Sequence, residues 1–333
     1  MTNTEHKIPN TKHQTPNAKH DPPLTSVFAK DRVTVIVTDS GLGGIAIFAQ
    51  IAARLKHDPI FSNVTLIYYN AWPEQNRGYN GFKDMGERIQ VFDSALKGML
   101  RYQPDIILIA CNTLSVLYDQ TRFSRQTPIP VIDIVRFGVD LVYEKLFQKP
   151  NAAAILLGTV TTITSNVHRS ALIRKGISAD CLIPQPCDQL ATQIEKGPGS
   201  DIVKQMVDRF MDQAIQKITL LPSEAYAALF CTHFGYIKDY IKQSLEVRLH
   251  KPVTVLDPNQ FLAGILFDTC DRRYERSHLN LQVVSRIIWD QTKIDAVANI
   301  IETRSIETAE ALRAYERIPE LFTISHIEPE GLL

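Results

Sequence analysis

Pro104-Asp-Ile-Ile-Leu-Ile-Ala-Cys111-Asn-Thr-Leu-Ser115 is the stretch on which the fold turns. Its continuous apolar run, Ile106 to Ala110, has the pattern of a strand buried on both faces. The run stops at a thiol followed by small polar residues. In open parallel sheets ligands bind beyond the carboxyl ends of strands, which places Cys111, Asn112 and Thr113 at a site. The pattern recurs downstream, where Ala225-Tyr-Ala-Ala-Leu-Phe230 runs into Cys231-Thr232-His233. Two strand-end cysteines in matching contexts predict a site with a thiol on each side.

The rest of the chain reads as alternating strands and helices. Arg32-Val-Thr-Val-Ile-Val-Thr38 is a β-branched strand, followed by Asp39-Ser40-Gly41-Leu-Gly43-Gly44 and a helix from Ile45. A glycine-rich turn before a helix exposes backbone N–H groups that suit an anion such as a carboxylate. Its Gly-x-Gly-Gly spacing does not fit a dinucleotide fingerprint. A second strand, Asn63 to Tyr69, leads into a long polar and aromatic loop, Asn70 to Gly81, of a kind that is often functional. A helix from about Asp84 to Tyr102 carries Ile89, Phe92, Leu96 and Leu100 at core spacing. Pro128-Ile-Pro130 reads as the break between lobes, with a second αβ run from Val131.

That run includes the strand Ala152 to Leu157 with its hydroxyl-rich sequel Gly158-Thr-Val-Thr-Thr-Ile-Thr-Ser165, the helix opened by His168, and Val253-Thr-Val-Leu-Asp257. The remainder reads as a helix from Gln260 to Thr269, a strand near Leu279 to Val284 and a long helix from about Lys293 to Tyr315. The expected class is α/β, with two pseudo-symmetric lobes, mainly parallel sheets and the site in the cleft between them. The expected divisions are 1–30 as a disordered tail, 31–129 plus 258–325 as one lobe, and 130–257 as the other. In the tail, His6, His13 and His20 recur at a seven-residue interval, but nothing there fixes a ligand geometry.

Composition removes several function classes. At 333 residues, with 36 Lys plus Arg against 36 Asp plus Glu and no basic block, the chain lacks a nucleic-acid footprint. No apolar run approaches the ~20 residues of a membrane helix, and no signal-peptide core comes after the start. Five cysteines, an odd number without scaffold spacing, argue against a disulfide framework and for a reduced cytoplasm. Cys181 and Cys187 have no evident His partner for zinc, and with Cys270 they read as packing residues.

Collected strand-end residues supply two thiols, an acid, an imidazole and many neutral donors: Asp39, Ser40, Cys111, Asn112, Thr113, Thr159, Thr161, Thr162, Cys231, Thr232 and His233. Each cysteine precedes a predicted helix, whose dipole makes the thiolate accessible. A thiolate on one face of a carbon acid can remove a proton while a thiol on the other face returns one. A single nucleophilic cysteine served by His233, as in a hydrolase, is the competing use.

Taken together and in order, Asp39-Ser-Gly-Leu-Gly-Gly44, Ala110-Cys-Asn-Thr-Leu-Ser115, Gly158 to Ser165, the Cys187 to Glu195 to Gly197 segment, Cys231-Thr-His233 and Val255-Leu-Asp257 resemble the motifs of the aspartate/glutamate racemases. The likeness runs from about Val33 to Asp257 and is strongest to the glutamate-specific branch. It implies racemisation without pyridoxal phosphate or metal, by Cys111 and Cys231 as paired acid/base thiols. Asp39 would assist beside Cys111 and His233 beside Cys231, with Glu195 in support. Ser40, Asn112, Thr113 and Thr232 would bind the amino acid, as would Tyr79 and its neighbour Asn80 in the long loop. A supply of D-glutamate for peptidoglycan, in the bacterial cytoplasm, is the implied role.

Several positions depart from the family pattern. Asn80 stands in Gly78-Tyr79-Asn80 where Pro-Tyr-Gly is usual, and Phe230 replaces a glycine before the second cysteine. Phe234-Gly235 replaces Tyr-Pro, and Arg136 stands where an acid is common. Asn80 and Phe230 are expected to narrow or re-polarise the pocket. Aspartate or a hydantoin therefore stays open as substrate, as does a non-catalytic carboxylate-binding relative. The expected partner is a small acidic amino acid, with neither nucleic acid nor membrane; a homodimer stays open.

Overall fold

The computed structural model describes residues 24–149, 151–219, 221–268 and 271–324. Among the described residues the chain forms ten strands: β1 (Arg32–Asp39), β2 (Asn63–Asn70), β3 (Ile106–Ile109), β4 (Val131–Asp133), β5 (Ala152–Gly158), β6 (Leu182–Pro186), β7 (Glu224–Phe230), β8 (Val253–Leu256), β9 (His278–Ser285) and β10 (Glu316–Arg317). They build one sheet in the order β10-β9-β2-β1-β3-β4 and another in the order β6-β5-β7-β8. All pairings between these strands are parallel. The α/β class and the two-lobed plan are those expected.

The order β2-β1-β3-β4 in the first sheet is repeated as β6-β5-β7-β8 in the second. In each, the chain steps to one side of its first strand and then returns to the other. That creates a crevice at the carboxyl ends of β1 and β3, and again at those of β5 and β7. Thr38 lies opposite Ile109, and Gly158 opposite Phe230. Cys111 and Cys231 therefore leave corresponding strand ends in the two lobes.

Burial on both faces explains the unbroken apolar runs. Side chains alternate across a strand, so Val35, Val37 and Leu108 pack into one layer while Ile36, Ile107 and Ile109 pack into the opposite one. In the second lobe Ile155, Leu157 and Leu229 face one way, and Ala154, Leu156 and Ala228 the other. The helix Met85–Met99 begins where expected, its Asp84 cap accepting from the Glu87 N–H at 3.0 Å.

Four local expectations are corrected. Val131 opens no second lobe: β4 extends the first sheet, and Ile107 N–H donates to the Pro130 carbonyl at 3.0 Å. As an edge strand β4 tolerates the flanking prolines. Residues 24–30 are ordered, because Val27 is buried in the first core and Phe28 stacks on Phe61 with ring centroids 6.2 Å apart; the expectation for 1–23 lies outside the described residues. The C-terminal helix is two, Gln291–Glu302 and Ile306–Arg313, because Ser305 caps the second by accepting from the Thr308 N–H at 3.2 Å. The α-helix expected over Gln260 to Thr269 covers Asn259–Gly264; Thr269 and Cys270 lie outside the described residues. Among the described residues no helix is long and apolar enough to cross a membrane.

Leu108 is fully buried in the strand that carries Cys111. Leu108→Ala is expected to cost about 2–5 kcal/mol of unfolding free energy, read from urea denaturation, since both faces of β3 are packed and cannot collapse into the void.

Candidate active site

The turn after β1 was expected to offer its N–H groups to a bound anion. It offers two of them to the protein's own carboxylates. Gly41 N–H donates to Asp39 Oδ1 at 2.8 Å, and Leu42 N–H to Glu195 Oε1, across the lobes, at 2.6 Å. Tyr68 and Asn70, at the end of β2, hold the Gly41 carbonyl from behind at 2.7 and 2.9 Å. The glycines are there for close approach. A Cβ on Gly43 would collide with Thr232 Oγ1 and lie 2.7 Å from the His233 backbone nitrogen; on Gly41 it would lie 2.5 Å from Glu195 Oε1. Only a bare backbone nests against Thr232 and His233 in this way.

Where the lobes meet is a cavity of about 270 Å³. The residues given catalytic or substrate-binding roles by the resemblance border it: Asp39, Ser40, Tyr79, Asn80, Cys111, Asn112, Thr113, Glu195, Cys231, Thr232 and His233; of the other strand-end residues Thr159 does and Thr161 and Thr162 do not. The two cysteines thus open onto one space from equivalent strand ends.

Their surroundings differ. Cys111 caps the helix Asn112–Tyr118, and its sulfur lies 3.2 Å from Ser40 Oγ. A lowered thiol pKa was expected from the helix dipole. Instead burial, reinforced by the Asp39 carboxylate, pushes Cys111 up to about 12, against hydrogen bonds from Ser40 and Leu114. Asp39 itself is raised by burial, against the pull of His233 and of its hydrogen bonds from Thr232 and Gly41. The Thr232 hydroxyl reaches Asp39 Oδ2 at 2.8 Å, from one lobe to the other.

Cys231 runs into a 3-10 turn, Thr232–Ile237, which brings His233 Nδ1 to 3.6 Å from its own sulfur. His233 Nε2 bonds Glu195 Oε1 at 2.6 Å, and Glu195 Oε2 pairs with Lys293. Burial alone would raise Glu195, but the Lys293 and His233 charges hold it down at about 2. Burial likewise opposes a charged His233, yet Glu195 and the Cys231 sulfur outweigh it and set the imidazole well above its ordinary value. The chain Lys293–Glu195–His233–Cys231 is a line of alternating charge ending at a thiol.

The remaining wall is neutral except for Arg77, whose guanidinium pairs with Glu74 at 2.7 Å. Thr113 Oγ1 meets Thr159 Oγ1 at 2.8 Å and Thr162 Oγ1 at 3.3 Å. Asn80 Oδ1 accepts from the Thr161 hydroxyl and backbone N–H at 2.5 and 3.1 Å. Asn80 is therefore an interlobe tie as well as part of the lining. The expectation for Phe230 is corrected: it does not border the cavity, but is buried in the core of the second lobe against Gly138. Its side chain leaves β7 on the face away from Leu229. Arg136 does not border the cavity either, and lies over the Phe137 ring at 4.6 Å.

Sequence reading missed Trp72, Gln189, Thr192 and Lys293. Gln189 borders the cavity in a left-handed backbone conformation, φ 59°, at the start of the helix Leu190–Lys196. Strained backbone of that kind collects at functional sites but leaves no mark in a glutamine's sequence context. Lys293 gave no local signal either, being one charge on an amphipathic helix. Among the described residues no group of three or more His, Cys, Asp or Glu side chains is arranged to hold a metal ion.

Duplicated parallel sheets with polar strand ends facing one interlobe cavity define a class of two-lobed α/β enzymes. The sequence profile of the Asp/Glu/Hydantoin racemase family matches residues 45–265, and the chain belongs to that family. A glutamate racemase of Sulfurihydrogenibium sp. (strain YO3AOP1) is 30% identical over 210 residues, spanning 62% of this chain and 73% of the relative. The fold is similar to that of glutamate racemase from Campylobacter jejuni subsp. jejuni, with TM-score 0.58 and 20% identity over 81% of this chain and 97% of that one. It is also similar to the Francisella tularensis glutamate racemase in complex with D-glutamate, with TM-score 0.59 and 21% identity over 82% and 94%.

Gly43→Ala is expected to lower kcat by about 10²-fold, since a misplacement of about 1 Å at reacting groups has that effect; activity assays with a folded variant check it. Lys293→Met is expected to cost about 2 kcal/mol at pH 7, an allowance made for the partial exposure of the lysine. The sign comes from the Glu195 pKa, lowered from 4.5 to about 2. Its stabilisation is complete above the unfolded value and is lost as pH falls through the folded one. The gap between wild type and variant should therefore be largest above pH 4.5 and close toward pH 2 in denaturation curves taken across that range. A gap independent of pH would contradict the pairing.

Proposed function

We infer that this racemase inverts the α-carbon of a small acidic amino acid, glutamate first among them, by proton transfer between Cys111 and Cys231. The observation that carries the reading is the opening of both thiols, from equivalent strand ends, onto one cavity of about 270 Å³. That volume is near the lower end for small-molecule sites and suits a single amino acid.

In the proposed reaction one cysteine, as thiolate, takes the α-hydrogen as a proton. The C–H electron pair moves into the substrate carboxylate, giving an enediolate. The other cysteine, as thiol, delivers its proton to the opposite face and is left as thiolate, so the two exchange states with each turnover. Neither pyridoxal phosphate nor metal enters; the charge on the carboxylate is to be held by hydrogen-bond donors around it. Asn112, Thr113, Ser40 and Thr232 are assigned to substrate binding, with Tyr79 and Asn80 in the loop wall. Asp39 serves proton transfer beside Cys111. On the other side the His233 imidazolium, held by Glu195, is the partner of a Cys231 thiolate.

Glutamate is favoured because three curated relatives, matched over 73%, 76% and 73% of their own length, are named glutamate racemases. The two lobes are proposed as the sequence divides them, 31–129 with 258–325 and 130–257, except that β4 belongs to the first sheet and moves the boundary beyond Asp133. A cytoplasmic role supplying D-glutamate to peptidoglycan synthesis completes the proposal.

Cys111→Ser and Cys231→Ser are each expected to lower racemisation by about 10²–10⁴-fold, followed by circular dichroism on glutamate and aspartate without added cofactor. Turnover unchanged in either variant would sink the two-thiol mechanism. In deuterated water, product from either enantiomer should carry deuterium at the α-carbon; binding without exchange would mark a ligand-binding relative instead.

A further inference from the structure

His168 lies in the helix Val167–Arg174, buried, with its ring stacked on Phe230 at a centroid distance of 4.0 Å and 18° between planes. Its Nε2 is 3.0 Å from Asn112 Oδ1, in the other lobe. Two polar atoms of this buried pair have no protein partner, His168 Nδ1 and Asn112 Nδ2. Asn112 borders the cavity, and His168 does not.

These facts fix where the hydrogens are. Burial depresses the imidazole to about 3, so the ring is neutral and carries one N–H. With the hydrogen on Nδ1, a buried donor would be orphaned and the lone pair of Nε2 would face that of Oδ1. With it on Nε2, the bond to Oδ1 is complete and only an acceptor goes unsatisfied, which is the less costly state. Exchanging the amide oxygen and nitrogen of Asn112 does not help, because Nε2 would then have to accept and the hydrogen would return to Nδ1. The amide oxygen is therefore occupied by His168, and the end of Asn112 still in need of a partner is a donor, the buried Nδ2 of a residue that borders the cavity.

We propose that His168 is a positioning residue, which through Nε2–H fixes the Asn112 amide so that Nδ2–H is presented to a carboxylate oxygen of the substrate. The proposal rests on the reading of the cavity as an amino-acid site. It assigns Asn112 to the carboxylate rather than the ammonium group, since a donor cannot serve an ammonium. It also gives Phe230 a use: its ring forms one side of the His168 slot, and Gly138 makes room for it, since a Cβ there would lie 2.8 Å from that ring.

His168→Phe keeps an aromatic ring against Phe230 and removes the N–H. It is expected to raise KM about tenfold and to lower kcat by no more than about threefold, because the carboxylate already carries a full charge in the bound substrate and gains only part of another at the transition state. His168→Gln, whose side-chain amide can donate in place of Nε2, should return KM to near the wild-type value. In an Asn112→Ala background, His168→Phe should add no further loss. An unchanged KM in His168→Phe, or additive losses in the double variant, overturns the proposal. The ring nitrogens of the wild-type protein, read by ¹⁵N NMR at neutral pH, should show the Nε2–H tautomer; an Nδ1–H ring overturns it too. That spectrum needs neither turnover nor a folded variant. A wild-type protein that racemises no acidic amino acid would thus defeat the functional reading while His168 is still judged.

Discussion

Glu195 is the constraint around which the lobes are set. A carboxylate buried alone would be forced to take up a proton or unfold its surroundings. Here one oxygen accepts from Leu42 N–H and His233, and the other pairs with Lys293. Those partners come from the turn after β1, the turn after β7 and a helix near the C-terminus. Satisfying one charge thus fixes the distance between lobes, the protonation of His233 and the position of the glycine turn together. The bare backbone at Gly41 and Gly43 is the steric condition for that approach.

On a duplicated scaffold, unlike neighbours make two identical side chains chemically different. Cys111 meets Ser40 and the field of a buried aspartate, which keeps it a thiol. Cys231 meets an imidazolium at 3.6 Å. A proton transfer that crosses a carbon from face to face calls for one donor and one acceptor at its outset, and this asymmetry would supply both.

Of the positions read from the sequence as departures from the family pattern, Gly78 and Asn80 border the cavity, while Phe230 and Arg136 do not. Phe230 packs on His168 and Gly138, and Asn80 ties the long loop to Thr161. Phe230 would thus reach a substrate only through the side chains it holds in place, while Asn80 stands on the cavity wall itself.

By itself the sequence determined the α/β class, the two strand-end thiols and the set of residues around them. Those features are local: an apolar run of four or five residues is a buried parallel strand, and the residues just beyond its carboxyl end face a crevice. It did not place β4, whose membership of the first sheet depends on pairing with β3, nor the side of β7 to which Phe230 points, which depends on register. Tertiary structure alone decided the thiol environment of Cys111, the Lys293 counter-charge and the His168–Asn112 bond. Each joins residues from 56 to 98 positions apart, or depends on how much water burial has removed, and neither quantity is written in any short stretch of chain.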